Sequence, residues 1–158
     1  MPRIKEFCGC VMQFTTQTGR NEFFMLVRSM YIPFKKWLTF LEQESRTRNK
    51  YLKTYFVYGK EQGYNKTQRE KELEKVGQEL QLKNIALTFV PSLTDIESEV
   101  NLNKINPSVE NTFVIYRHRT IIDKFIDLKP TTNNFKTISS TLHKTKSEFF
   151  NLSEPKHD

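Results

Sequence analysis

Val109-Glu110-Asn111-Thr112-Phe113-Val114-Ile115-Tyr116 is followed by Arg117-His118-Arg119, and then by Thr120-Ile121-Ile122-Asp123-Lys124-Phe125-Ile126-Asp127-Leu128. Residues 112–116 and 120–128 are rich in β-branched and aromatic side chains, the types that fit a pleated, half-buried surface. The basic turn between them predicts a β-hairpin. Lys129-Pro130 ends its second strand. Successive side chains on a strand point to opposite faces. Phe113 and Ile115 therefore face one way, and Val114 and Tyr116 the other. Both faces are apolar, so the sheet that holds this hairpin is expected to be covered on both sides.

Outward from the hairpin, the order of elements is legible from apolar spacing. Glu22-Phe23-Phe24-Met25-Leu26-Val27 is a short continuous apolar run, as in a buried strand. Pro33 stands where a first helical turn tolerates proline. Phe34, Trp37, Leu38 and Leu41 then recur at i, i+3, i+4 and i+7, one stripe of a helix running to about residue 45. Residues 53–58 predict a second strand, stopped by Gly59. Asn65 and Gln68 have the spacing of a capping box. They open a helix to about residue 83, with Leu73, Val76 and Leu80 inward and its Glu and Lys residues in water. Gly77 within it costs up to about 1 kcal/mol relative to alanine. A third strand covers residues 85–90, and residues 95–104 predict a short helix carrying Ile96, Val100 and Leu102. After the hairpin, Thr131 caps a last helix to about residue 142, with Phe135, Ile138 and Leu142 on one face. Alternating strands and helices closed by a hairpin and a helix make an α/β fold: a mixed sheet with helices on both faces. The expected organisation is an N-terminal extension over 1–20, a domain over 21–144 and a polar tail over 145–158.

The 158 residues are one domain's worth, and 13% aromatic content argues against a disordered chain. No apolar run approaches a membrane span, and Met1-Pro2-Arg3-Ile4-Lys5-Glu6 lacks the apolar core of a signal peptide. A soluble, cytoplasmic protein is expected. The net charge of +7 would attract polyanions. Its densest stretches are Arg46-Thr47-Arg48-Asn49-Lys50-Tyr51-Leu52-Lys53 and Arg117-His118-Arg119. These are candidate nucleic-acid or phosphate contacts, or simply a solvated helix end and a turn. Five glycines at scattered positions build no phosphate loop, and no His-x-x-x-His or Glu-x-x-His pair offers a metal helix. No cofactor is implied. Asp123 and Asp127 are spaced for one strand face, where exposed strand residues are the plainer reading. Two cysteines, Cys8 and Cys10, cannot form a disulfide scaffold or a four-ligand zinc site. With Gly9 between them they could close a strained, labile disulfide.

The element order, and the hairpin of residues 109–125 in particular, resembles the thioredoxin fold in its wider, peroxiredoxin-like form, over about residues 20–143. The resemblance implies that any catalysis would be thiol–disulfide exchange, with a protein thiol or disulfide as substrate. Thioredoxins carry Cys-x-x-Cys at the start of the helix after the first core strand. Here that place is Arg28-Ser29-Met30-Tyr31-Ile32-Pro33. They carry a cis-proline ahead of the hairpin strand, where this chain has Asn111. Some relatives instead hold a cysteine pair ahead of the first core strand, the place of Cys8 and Cys10. Two roles follow: a redox-degenerate domain acting in protein interaction through groups such as Asn111, Arg117, His118 and Arg119, or weak exchange through Cys8 and Cys10. A basic nucleic-acid-binding protein is the alternative.

Overall fold

The computed structural model describes residues 4–6, 21–29, 33–48, 52–117 and 120–144. Strands β1 (Ile4–Glu6), β2 (Asn21–Val27), β3 (Leu52–Tyr58), β4 (Ile85–Phe89), β5 (Asn111–Arg117) and β6 (Thr120–Ile126) form one sheet in the order β1-β4-β3-β2-β5-β6. β1, β4, β3 and β2 run parallel. β5 is antiparallel to β2, and β6 to β5. Among the described residues the α-helices are α1 (Phe34–Thr47), α2 (Lys66–Glu79) and α3 (Thr132–Lys144). The expected hairpin forms; its first strand extends to Arg117, and its second starts at Thr120 as expected but ends at Ile126, short of Leu128. Its turn, with His118 and Arg119, lies outside the described residues.

Period-two alternation splits the strands between two cores. Phe23, Met25, Phe56, Leu87, Phe89, Phe113 and Ile115 face α1, α2 and α3. α1 brings its whole stripe, Phe34, Trp37, Leu38 and Leu41, and α3 brings Ile138 and Leu142. Each fully buried side chain of this size contributes about 1.5–3 kcal/mol of transfer free energy. The other face holds Phe24, Leu26, Tyr55, Val57, Val114 and Tyr116, under Val90, Leu93, Val100 and Ile105. Its lid is the loop after β4 with one 3-10 helix, Val100–Asn103. The expected helix over 95–104 is shortened to this turn because local polar groups take the backbone donors. Asp95 Oδ2 accepts from the Ser98 N–H at 2.8 Å, and Glu99 and Lys104 sit at φ 63 and 52. Val100 is buried, but Ile96 and Leu102 are exposed.

Tyr116 seals this second core, and its hydroxyl donates to Asn103 Oδ1. Burial, aided by the nearby Glu22 carboxylate, pushes its pKa up to about 12. The folded chain thus holds this proton more tightly than the unfolded chain does. That stability is whole below about pH 10 and is lost as pH climbs toward 12, by about 2–3 kcal/mol. Tyr58 shifts the same way, chiefly through burial. Urea midpoints at pH 9 and pH 11.5 should fall further apart for the wild type than for Tyr116→Phe. An equal fall in both proteins would remove Tyr116 from the effect.

The helix ends follow their sequence signals. Asn65 Oδ1 accepts from Gln68 N–H at 3.0 Å, and Thr131 Oγ1 from Asn134 N–H at 3.2 Å. α2 closes with Leu82 N–H donating to Gly77 O at 2.9 Å and Gln81 N–H to Gln78 O at 3.3 Å, the Schellman pattern. The pattern needs a left-handed residue, and Gln81 takes it at φ 53 at an exposed position. Gln81→Gly is therefore expected to stabilise the fold by about 1 kcal/mol, read as a higher urea midpoint at unchanged slope.

Two buried charges position the loops. Glu42 of α1 accepts from Lys83 N–H, and from Asn84 N–H at 2.7 and 2.9 Å, which pins the turn that leads into β4. Arg69 belongs to the α2 surface that composition assigns to water, yet it is 4% exposed. It donates to Tyr58 Oη at 3.2 Å, Lys60 O at 3.0 Å and Gln62 O at 3.1 Å, and pairs with Glu72 at 3.2 Å. The sheet also gains β1, which the sequence pattern did not mark: three residues are too few for an alternation to show.

Candidate functional site

β2, β3 and β4 end together at Val27, Tyr58 and Phe89, where β5 begins and β6 ends. Ligand sites of open parallel sheets form in crevices beyond such carboxyl ends. Two clefts open here. One, an open cavity of about 530 Å³, has Pro33, Leu128 and Pro130 as apolar walls, with Asn111, Glu110 and Asp127 beside them. The second, about 360 Å³, lies among Arg28, Ser29, Lys60, Ser92 and Thr94. Arg28 lines one cleft and Glu110 the other, and the two side chains pair at 3.5 Å. Both are nearly half exposed, so this bridge sets shape more than stability.

The larger cleft is built by a backbone device. Asn111 is buried, and its amide acts as an extra strand residue. Nδ2 donates to Leu128 O at 2.7 Å and Oδ1 accepts from Leu128 N–H at 3.0 Å. Its own carbonyl accepts from Asp127 N–H at 2.9 Å. Asp127 turns the chain at φ 55, which an aspartate tolerates better than most residues. The Trp37 indole donates to the same Leu128 carbonyl at 3.3 Å, so the cleft wall is tied to the core. α1 starts at Pro33 with no side-chain cap and no acidic residue in its first turn. The helix dipole gives this end a positive potential suited to an anionic or thiolate group. Arg69 holds the loop after Tyr58, and with it Lys60 and Gln62 at the second cleft.

Of the candidate residues, Asn111 lies in the larger cleft. Arg117 ends the same strand, paired with Thr120, about 20 Å away at 3.4 Å per residue. These two are not brought together. Cys8, Cys10, His118 and Arg119 lie outside the described residues, as do Met30, Tyr31 and Ile32. Among the described residues there is no cis peptide, so Asn111 enters its strand through a trans bond. Asp123 and Asp127 part company, because Asp127 has left the strand. In the basic stretch, Arg48 pairs with Glu44 at 2.8 Å and reaches Ser139 O at 3.4 Å, while Lys53 lies over the Tyr55 ring at 5.5 Å. Composition did not single out Leu128 or Pro130; the only signal is an apolar residue next to Lys-Pro after a strand. Among the described residues no group of three or more His, Cys, Asp or Glu could hold a metal. No described helix is long and apolar enough to cross a membrane.

No protein-family model matches the chain. No curated protein matches it either. Solved structures do. The pneumococcal exposed lipoprotein thioredoxin Etrx1 from Streptococcus pneumoniae strain TIGR4 superposes with a TM-score of 0.56 at 13% identity, over 80% of this chain and 86% of that one. A thiol:disulfide interchange protein from Bacteroides sp. gives 0.55 at 13% identity, over 87% and 83%. BsSco, a member of the Sco family of cytochrome c oxidase assembly proteins, gives 0.50 at 12% identity, over 81% of each chain. The chain has a thioredoxin-like fold.

Proposed function

We propose that this thioredoxin-like protein works by holding a protein partner in the cleft beside Asn111, and that it is redox-degenerate where the fold usually places its thiols. The observation that carries this reading is the preserved cleft without the usual chemistry. The uncapped start of α1 and the pocket of Pro33, Leu128 and Pro130 remain, while residues 28–33 hold no cysteine. The partner is an extended protein segment that places an apolar side chain against Leu128. Weak thiol–disulfide exchange through Cys8 and Cys10 is a second reading. It draws support from β1, which leaves the sheet at Glu6, at the same carboxyl end and two residues before Cys8.

The test is a peptide array probed with the wild type, Leu128→Asp, and the double variant Cys8→Ser/Cys10→Ser. Peptides selected by the wild type should lose at least tenfold in affinity with Leu128→Asp and bind the cysteine variant equally well. Binding indifferent to Leu128→Asp overturns the cleft reading. A disulfide between the two cysteines across a glutathione series, together with disulfide-reducing activity lost in the double variant, would put exchange in its place. Oligonucleotide binding that collapses with salt would favour the polyanion alternative.

A further inference from the structure

The two edges of the sheet differ. β1 offers three residues, whereas β6 offers seven, with neither proline nor glycine. Among the described residues no strand lies along the outer side of β6. A long edge with apolar side chains is a template for further strand pairing unless it is blocked. β6 carries two exposed isoleucines, Ile121 at 45% and Ile126 at 51%, and Leu102 of the overlying 3-10 helix is 67% exposed.

In an unbroken strand, Ile121 and Ile126 would point to opposite faces. Here they do not. Ile115 pairs with Asp123 and Tyr116 with Ile121, so Ile122 is an extra, bulged residue. Ile121, Lys124 and Ile126 lie opposite Tyr116, Val114 and Thr112 and share their face, while Ile122 and Phe125 pack toward the helices. The bulge thus makes the edge symmetric about Lys124. A two-fold axis normal to the sheet preserves faces and pairs each central residue with itself. Placed at Lys124, it sets Ile121 against the partner's Ile126 twice, on one face, and Phe125 against the partner's Asp123 on the other. The like charges at the centre are drawn aside, since each Lys124 Nζ reaches its own Asn103 and Lys104 carbonyls at 3.5 and 3.4 Å.

We propose that β6 pairs antiparallel with β6 of a second copy of this chain, centred on Lys124, to form a continuous twelve-stranded sheet by doubling the six strands present. One group restrains this pairing: Asp123 Oδ1 accepts from the Lys124 N–H at 2.8 Å and occupies the central donor of the edge. The dimer is accordingly weak.

Sedimentation equilibrium from about 10 μM to 1 mM tests this, a range chosen for an interface of this class. The wild type should dimerise reversibly within the range. Ile126→Lys should weaken association at least tenfold, and Asp123→Ala should strengthen it severalfold by freeing the donor. Both positions lie at the surface edge, and circular dichroism checks that each variant folds. A strictly monomeric protein in both wild type and Asp123→Ala overturns the proposal. So does a dimer that Ile126→Lys leaves intact.

Discussion

Trp37→Ala should lower stability by about 3–5 kcal/mol, the range for truncating a fully buried aromatic. Trp37 is completely buried. Its ring lies 4.6 Å from Phe113 and 5.0 Å from Phe135, so it joins α1 to the sheet and to α3. The same residue holds Leu128 O through its indole N–H. Loss of the ring therefore opens a cavity and loosens the wall of the larger cleft together. Trp37 is the only tryptophan, so unfolding must be followed by circular dichroism and not by indole fluorescence. For a chain of this size the melting temperature should drop by roughly 10 °C or more. Trp37→Phe separates the two roles: it keeps most of the packing and removes the donor, and should cost about 1–2 kcal/mol. A Trp37→Ala protein within 1 kcal/mol of the wild type, on that scale, would show that α1 does not pack as described.

Arg69→Met should cost about 3 kcal/mol, as expected when one side of a buried, hydrogen-bonded charge network is removed. The methionine fills much of the volume, so the loss reports the polar partners. The carbonyls of Lys60 and Gln62 and the hydroxyl of Tyr58 would each lose a donor. Lysine should rescue little, because one ammonium cannot reproduce the planar fork that serves three acceptors at once. Amide exchange over residues 59–65 should speed up more than exchange in β3. Uniform acceleration throughout the chain would point instead to a global role.

The fold is legible in this sequence wherever burial repeats with the period of an element. The stripe Phe34, Trp37, Leu38 and Leu41 needs no partner to be recognised, because four apolar side chains on one helical face must be covered. The strands that end at Val27, Tyr58 and Phe89 are legible for the same reason. What escapes is set by single polar groups. Arg69 looks like one more charge on a wet helix, since nothing local reveals that two carbonyls of the preceding loop converge on it. Residues 95–104 have the apolar spacing of a helix, but Asp95 and Ser98 take the donors that a helix would need. The bulge at Ile122 is invisible because it depends on how two strands meet. Of the cleft, the position of Asn111 is legible through the hairpin. Its neighbours Pro33, Leu128 and Pro130 come from three separate segments, and only folding brings them together.

The order of the strands also sets an order of events in time. Ile4 pairs with Leu87, so β1 has no place to bind until β3 has recruited β4. Closing so long a loop for three residue pairs returns little of the chain entropy it takes. β1 should therefore be the last strand to arrive during folding and the first to leave. Its amides are expected to exchange through local opening, at rates insensitive to denaturant, while those of β2 and β3 exchange only with global unfolding. The edge beside β4 would then open and close on its own clock, while the centre of the sheet stays shut.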